Sequence, residues 1–519
     1  MRWRRAFQPE FLIPLLAIVL RVVAGPRVID DAYIIFRYAQ NLLGGHGFVF
    51  NPGQPVFGIT TPLFGGLLAL LGSVSGAASA PFPALALGIN ALADAGTCWL
   101  LIAFGRLLDR PPAGILAALV WAVAPMSVTF AIGGMETSVF ILLMTATLYF
   151  HSSRRSVAAA LCAGLSLITR PDALLLIVFL VLERTRQAWL ARRGGAVYPA
   201  VGAGEIAAFI APVAAWAVFA WIGYGTPIPQ SIVAKAVAYH LPPEAGFVRL
   251  LQHFATPFLE ERAGQQLDEI LGSRALGPAA IAVGIVLYLI LYILGAVDAI
   301  RRRVETWPVF AYTPAYFLAF SIANPLIFRW YLAPPLPTFF LAIFVGVVRI
   351  AGDLRRPALA WLFGAAAVLL SLNGWTLRPE SGPARPAPEM AFVGLEEIYT
   401  DLGRRLASVV RADEVLAAGD IGALGYFSQA RILDLLGLIS PEVVAYYPLA
   451  DEAYVINFAV SAQAIEDLRP DYVVVLEVYG RETLLKDPGF LHAYRLIETI
   501  PTDLYGSRGM LVFHRMSPP

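Results

Sequence analysis

Lysine is nearly absent from this 519-residue chain: of its 38 basic residues, only Lys235 and Lys486 are lysines. Charge of either sign is scarce. Asp, Glu, Lys and Arg make up 14% of the residues, where a soluble domain carries about 25%. The net charge of +1 supplies no basic footprint for nucleic acid. Cysteine is limited to Cys98 and Cys162, both inside apolar runs, which argues against a disulfide. Compact metal motifs such as HExxH and CxxC are missing. Gly419-Asp420-Ile421-Gly422 lacks the third glycine and helix context of a dinucleotide loop and the lysine of a P-loop, so turn chemistry is the reading it supports. No internal repeat or low-complexity tract appears, so an inverted-repeat transporter has no direct support.

What fills the chain is apolar. Hydrophobic residues make up 58% of it, gathered into runs of spanning or near-spanning length, since a crossing helix needs about 20 apolar residues. Runs near 10–25, 83–106, 111–131, 136–151, 155–169, 172–186, 203–223, 276–299, 307–324, 330–349 and 358–375 predict a polytopic α-helical membrane protein with about 11 spans. Arginine clusters occupy alternate loops: Arg2/Arg4/Arg5, Arg106/Arg110, Arg154/Arg155, Arg184/Arg186/Arg192/Arg193, Arg301/Arg302/Arg303 and Arg349/Arg355/Arg356. The positive-inside rule makes those loops cytoplasmic. The N-terminus is then inside and the C-terminus outside. Arg21 interrupts the first run and no small-x-small cleavage site follows it, so that run reads as an anchor. Thr61–Gly76 must not cross, or every later arginine loop would invert. It is expected as an interfacial helix with Pro62 in its first turn.

The reading divides the chain into a membrane domain over 1–375, a Pro/Gly/Arg linker over 376–390 and an extracytoplasmic α/β domain over 391–519. Long outer segments are expected at 26–82 and 224–275, the latter with an amphipathic stretch near Gln265–Leu271. In the last domain helical periodicity covers Phe392–Val410, and strand patterns cover Glu414–Ala418, Asp471–Glu477 and Met510–His514.

Asp30 and Asp31 follow the first span directly. Adjacent carboxylates at a membrane boundary are costly to bury, which gives them a functional reading. Asp30 is also placed to cap a helix running from Asp31 to Leu43 and closed by Gly44-Gly45, with Asp31 as a first-turn acid. As a general base, Asp30 would take the proton of an acceptor hydroxyl that attacks a sugar carbon. Tyr33 and Arg37 share its helix face and are expected to contact the substrate, with Asp31 and Arg37 setting the pKa and orientation of Asp30. Outside the cytoplasm there is no nucleotide-sugar pool, so the donor must arrive activated in the membrane. A lipid-linked phosphate supplies the leaving group without a second protein acid.

The run Asp30-Asp31-Ala-Tyr33-Ile-Ile-Phe-Arg37-Tyr38-Ala-Gln-Asn41, continuing to Gly47-Phe-Val-Phe50-Asn51-Pro52-Gly53, resembles the first outer loop of GT-C membrane glycosyltransferases. The nearest likeness is to terminal-capping arabinofuranosyltransferases of actinobacterial cell walls. More distantly it is similar to protein O-mannosyltransferases and the lipid A aminoarabinose transferase. Further matches are Gly133-Gly134-Met135-Glu136-Thr137, Thr169-Arg170-Pro171-Asp172, Tyr224-Gly225 to Lys235, Arg329-Trp330-Tyr331 to Pro337, and Gly419-Asp420 to Gly425-Tyr426. The resemblance implies Asp30 as base, Asp31 as its supporting acid and a polyprenyl-phosphate sugar as donor. Phe57 stands where relatives usually carry an acid, which leaves the sugar and acceptor open. Some relatives hold a divalent ion on an Asp-x-Asp in the second outer loop. Here the residues are Gly-Met-Glu-Thr, so no obligatory metal or other cofactor is expected.

The remaining candidates each carry two readings. Glu136 is a helix-start acid or a second site acid. Arg170 and Asp172 are a hairpin pair, or Arg170 grips the donor phosphate. Lys235 retains an ammonium suited to a departing phosphate, or is a chance survivor. Arg329 is a further phosphate contact or an interface anchor beside Trp330 and Tyr331. Asp94 is mid-span without a local partner, as expected of a buried structural pair. Tyr426, Tyr446 and Tyr447 suit either sugar stacking or the core. The sequence thus predicts an inverting transferase that moves a pentofuranose or hexose onto an extracytoplasmic glycan, lipid or protein. The competing class is a transporter or lipid-linked sugar flippase, whose charges would gather at mid-bilayer and not on outer loops.

Overall fold

The computed structural model describes residues 8–195, 201–240, 243–258, 276–322, 328–377, 382–390 and 393–516. The arginines before residue 8, the stretch Gln265–Leu271 and Asn324-Pro325 lie outside these residues. The chain divides into two compact units. One comprises Met1–Arg27, Ala86–Ala215 and Pro243–Met390. The other comprises Val28–Leu85, Trp216–Pro242 and Ala391–Pro519. Residues 28–85 and 216–242 therefore pack with the C-terminal residues.

The first unit is helical, and every apolar run forms a helix. Among the described residues, four helices are long and apolar enough to cross a membrane: Phe82–Leu107, Ala203–Tyr224, Ala282–Arg302 and Leu336–Asp353. A fifth span arises if Pro111–Val123 and Pro125–Ile132, bent by 50°, are taken as one. Pro125 accounts for the bend, because it supplies no N–H to the helical ladder. Ala203–Tyr224 leaves all but 6% of its most apolar window unburied. Val218, Trp221 and Ile222 are among its exposed side chains, a surface that water would not tolerate and lipid would. The run expected at 330–349 begins later, at Leu336, because Pro334, Pro335 and Pro337 confine helix initiation to that point. Before it, Arg329–Tyr331 forms a 3-10 turn.

Inside this unit several buried charges are paired. Arg21 and Asp94, both fully buried, meet at 2.8 Å, and Arg21 also donates to Ser127 Oγ and to the Ala122 carbonyl. The residue that broke the first apolar run is thus the partner that Asp94 lacked locally. Leu276–Arg302 and Leu336–Asp353 approach through glycine. A Cβ on Gly346 would lie 2.2 Å from the Leu291 carbonyl oxygen, and one on Gly295 would lie 1.8 Å from that of Ala342. Small residues at such crossings let backbones touch. Gly346→Val is therefore expected to lower the thermal midpoint of purified protein, at a cost of about 1–3 kcal/mol for overpacking. An unchanged melting curve would contradict this packing.

The second unit is built on a five-stranded mixed sheet. Its strands run in the order Arg431–Asp434, Val415–Ala418, Tyr472–Leu476, Met510–Arg515 and Tyr494–Ile500. The first three are parallel and the last two antiparallel. Leu416, Ala417, Val473, Val474 and Val512 are essentially inaccessible, consistent with apolar runs covered on both faces. Val393–Leu406 provides the helix expected from the periodicity, burying Leu395, Tyr399, Leu402 and Leu406. Pro62–Ser73 begins with its proline in the first turn. At 12 residues it is too short to cross a bilayer.

Candidate active site

The helix Asp30–Leu43 presents the acid pair, and Asp30 is its first helical residue. Ile29 occupies the cap position, and no side chain caps the helix. The carboxylate of Asp30 instead turns toward the C-terminal segment. Its Oδ2 accepts the N–H of Gly422 at 2.9 Å and its Oδ1 accepts that of Ala423 at 2.7 Å. The simple capping role available from sequence is thereby replaced by a long-range one. The backbone N–H of Asp30 donates in turn to Glu396 Oε1 at 3.1 Å. Glu396 is 7% exposed, and its Oε2 has no hydrogen-bond partner among the described residues. Asp420 accepts the Tyr399 hydroxyl at 2.8 Å.

Four carboxyl groups thus surround one helix start, and the electrostatics follow. Burial raises the Asp30 carboxyl above the ordinary range. The charges of Asp420 and Asp31 add to that, while the two backbone N–H groups oppose it. Burial likewise raises Asp420, and the Tyr399 hydroxyl works against it. Glu396 is held well above its usual range by burial and by the charges of Asp30 and Asp420. Asp31 differs: its side chain is 32% exposed and lies 3.5 Å from Lys235 Nζ, itself 25% exposed. A raised, oriented carboxylate beside an accessible Asp–Lys pair is suited to receiving a proton next to an anionic group.

Tyr33 packs against Tyr426 and Phe427 with ring centroids 5.3 and 5.2 Å apart. Burial lifts its hydroxyl to about 12, so it remains a neutral donor. Arg37 is 1% exposed. It donates to the carbonyls of Gly425 and Ala430, both at 2.7 Å, and stacks over Phe50 at 4.3 Å. Its guanidinium is therefore a brace within the unit, and the substrate contact expected of it is not what this geometry offers. Tyr447 is core, donating to the Leu435 and Ala459 carbonyls. Tyr446 is half-exposed on Asp467.

Glu136, Arg170, Asp172 and Arg329 belong to the first unit. Gly133-Gly134 turns the chain, with Gly134 at φ +75°, and delivers Glu136 to the start of Thr137–Ser152. There Glu136 accepts from Arg170 Nη1 at 3.4 Å. Arg170 also forks onto Asp172, Nε to Oδ1 at 3.0 Å and Nη2 to Oδ2 at 3.1 Å, and Tyr316 donates to Asp172. Arg170 is 3% exposed and lies over the Tyr331 ring at 4.7 Å. With two carboxylates on a buried guanidinium, the hairpin pair is the role this geometry serves. A grip on a donor phosphate would require displacing them. Arg329 is half-buried in the turn beside Trp330 and Tyr331. Arg170→Met would strand two buried acids, a loss of about 3–5 kcal/mol for a broken buried pair. It should appear as a lower melting midpoint even before substrate is added. A variant as stable as the parent would contradict the network.

Reasoning from sequence singled out Asp30, Asp31 and Lys235, and these three fall in one unit. It missed Glu396, Tyr399 and the role of the Gly422–Ala423 amides, and it took Asp420 only as part of a turn and of a stretch with a family likeness.

A family model described as a domain of unknown function (DUF8728) matches residues 390–513. A terminal β-(1→2)-arabinofuranosyltransferase of Mycobacterium tuberculosis (strain ATCC 25618 / H37Rv) is 29% identical over 236 residues, which is 41% of this chain and 35% of that protein. The chain thus matches about a third of the length of that curated relative. ArnT from Cupriavidus metallidurans, solved bound to undecaprenyl phosphate, superposes with a TM-score of 0.55 at 11% identity, covering 98% of this chain and 99% of that one. The archaeal oligosaccharyltransferase AglB from Archaeoglobus fulgidus, solved with an inhibitory peptide and a dolichol-phosphate, gives 0.55 at 12% identity over 90% and 69%. The chain is a polytopic membrane protein that shares its fold with these GT-C glycosyltransferases.

Proposed function

We propose that the protein is an inverting membrane glycosyltransferase that moves a sugar from a polyprenyl phosphate to an extracytoplasmic glycan, lipid or protein. The observation that carries this reading is the Asp30 carboxylate, oriented by two backbone N–H groups beside the Asp31–Lys235 pair. It stands on a fold shared along nearly the whole chain with ArnT. That ArnT binds undecaprenyl phosphate and AglB a dolichol-phosphate supports a lipid phosphate as the leaving group here. The arabinofuranosyltransferase likeness supports a pentofuranose among the candidate sugars.

In this mechanism Asp30 accepts the proton of the acceptor hydroxyl while the acceptor oxygen attacks the anomeric carbon. The bond from that carbon to the phosphate oxygen breaks, and polyprenyl phosphate departs with the electron pair. In this reading the Lys235 ammonium, paired with Asp31, offsets the charge that develops on the phosphate. Glu136, Arg170 and Asp172 brace the hairpin, and Arg329 is assigned a membrane-interface anchor. The arginine alternation supports 11 spans in a cell membrane, N-terminus inside, with residues 391–519 extracytoplasmic.

The test supplies purified protein with a panel of short-chain polyprenyl-phosphate sugars and candidate acceptors. Acceptor-dependent formation of free polyprenyl phosphate is the expected result. Movement of intact donor across vesicles without any turnover would overturn the reading in favour of a flippase.

A further inference from the structure

The residues matched as a domain of unknown function supply the groups that hold the Asp30 side chain and its backbone N–H, which is more than a tethered appendage requires. Both carboxylate oxygens of Asp30 accept the first two amides of the helix Gly422–Ser428, at the turn that follows the strand Val415–Ala418. That turn is fitted without slack: a Cβ on Gly422 would stand 1.9 Å from the Asp30 carbonyl oxygen. Two residues earlier Asp420 is anchored by Tyr399, and Tyr399 shares its helix with Glu396, the acceptor of the Asp30 N–H. Resting on the transferase reading above, we propose that the Asp420–Ala423 turn, braced by Tyr399, is a working part of the transfer site: it fixes the orientation of Asp30 and conditions it electrostatically, which makes Asp420 a positioning residue for the base.

A structural turn could close on any hydrogen-bond acceptor, and a second buried acid at that point is a cost. Here an acid is retained, held by a tyrosine hydroxyl, in a position where its charge raises Asp30. A raised carboxylate is a stronger base, and general-base catalysis gains as the base approaches the working pH. The two amides act in the opposite sense by favouring the ionised form, so Asp30 is kept available as well as basic. The other groups facing it are Asp31 and Tyr33 on its own helix, Glu396 and Tyr399 on Val393–Leu406, and Tyr479 on Glu477–Gly480. Lys235 reaches the cluster through Asp31. Among these described groups, only Lys235 carries positive charge.

The pH dependence of sugar transfer tests this. The base must be ionised, so the rate rises with pH through the Asp30 titration. Removing the Asp420 charge in Asp420→Asn lowers that titration, and the rising limb should move to lower pH by about one unit. The plateau rate should fall while the donor concentration for half-saturation stays put. Tyr399→Phe keeps the turn but withdraws the hydroxyl that favours ionised Asp420. It should move the limb in the same direction by less, and it provides the reading if Asp420→Asn does not fold. A limb unmoved in the folded variants, with only a lower rate at every pH, would overturn the proposal and leave the turn structural. Asp30→Asn run in parallel separates the two levels: if that variant still transfers sugar, the assignment of the base has failed, and not merely the conditioning of it.

Discussion

Replacing Asp30 by asparagine is expected to cut sugar transfer by about 10²–10⁴-fold, the range that removal of a general base produces. The substitution is nearly isosteric and keeps one acceptor oxygen for the amide of Ala423 or Gly422, so the fold should survive. What it removes is the capacity to take a proton. Donor binding should be little altered, because Lys235 and Asp31 are untouched. The measurement is a paired determination of donor affinity and transfer rate, and the account expects the loss in the rate alone. If affinity were lost as well, Asp30 would be a donor contact and the base would lie elsewhere. Asp31, the more exposed carboxylate, would then be the next group to test.

Gly422→Val should be nearly as damaging, although Gly422 has no side chain and lies some 390 residues from the acid pair in sequence. The added Cβ would fall 1.9 Å from the Asp30 carbonyl oxygen, 2.6 Å from its carbon and 2.7 Å from Oδ2. Two of those atoms are backbone and cannot swing aside. Either the turn retreats, removing both amides from the carboxylate, or the start of the helix Asp30–Leu43 shifts with its acids. A displacement of about 1 Å at a reacting group can cost 10²-fold. We therefore expect transfer to drop by about that factor or more, with the sheet of the second unit intact by circular dichroism. Near-normal activity in a folded Gly422→Val protein would contradict the observed contact between the turn and Asp30.

These two positions show what was legible in the sequence. Asp30 could be found because it is a charged residue at the edge of an apolar run and carries a recognisable local pattern. Gly422 was visible only in a Gly-Asp-Ile-Gly turn and a short stretch with a family likeness, since nothing local says which acceptor its amide meets. Helix positions followed from apolar runs, and the strands at Val415–Ala418, Tyr472–Leu476 and Met510–Arg515 lie within a residue of the strand-like runs read for them. The exceptions have local causes, such as the prolines that delay the helix at Leu336. Pairings between distant residues were out of reach. Arg21 and Asp94 are 73 positions apart, and each looked like an isolated defect in an apolar run. Glu396 offered a signal that could have been used. It shares the buried stripe of its helix with Tyr399, Leu402 and Leu406, and an acid on an apolar stripe asks for a partner. Arg37 is the converse case. Its spacing placed it on the Asp30 face, but its length carries the guanidinium on to the Gly425 and Ala430 carbonyls.

The central claim is a single displacement at the sugar carbon, with one carboxylate base and a lipid phosphate leaving group. Its most direct test is the anomeric configuration of the transferred sugar, read by NMR on product made from a polyprenyl-phosphate donor of known configuration. A single displacement predicts inversion in every turnover. Retention would require a covalent glycosyl intermediate on a second nucleophile, and would contradict the assignment of Asp30 as a base that acts only on the acceptor.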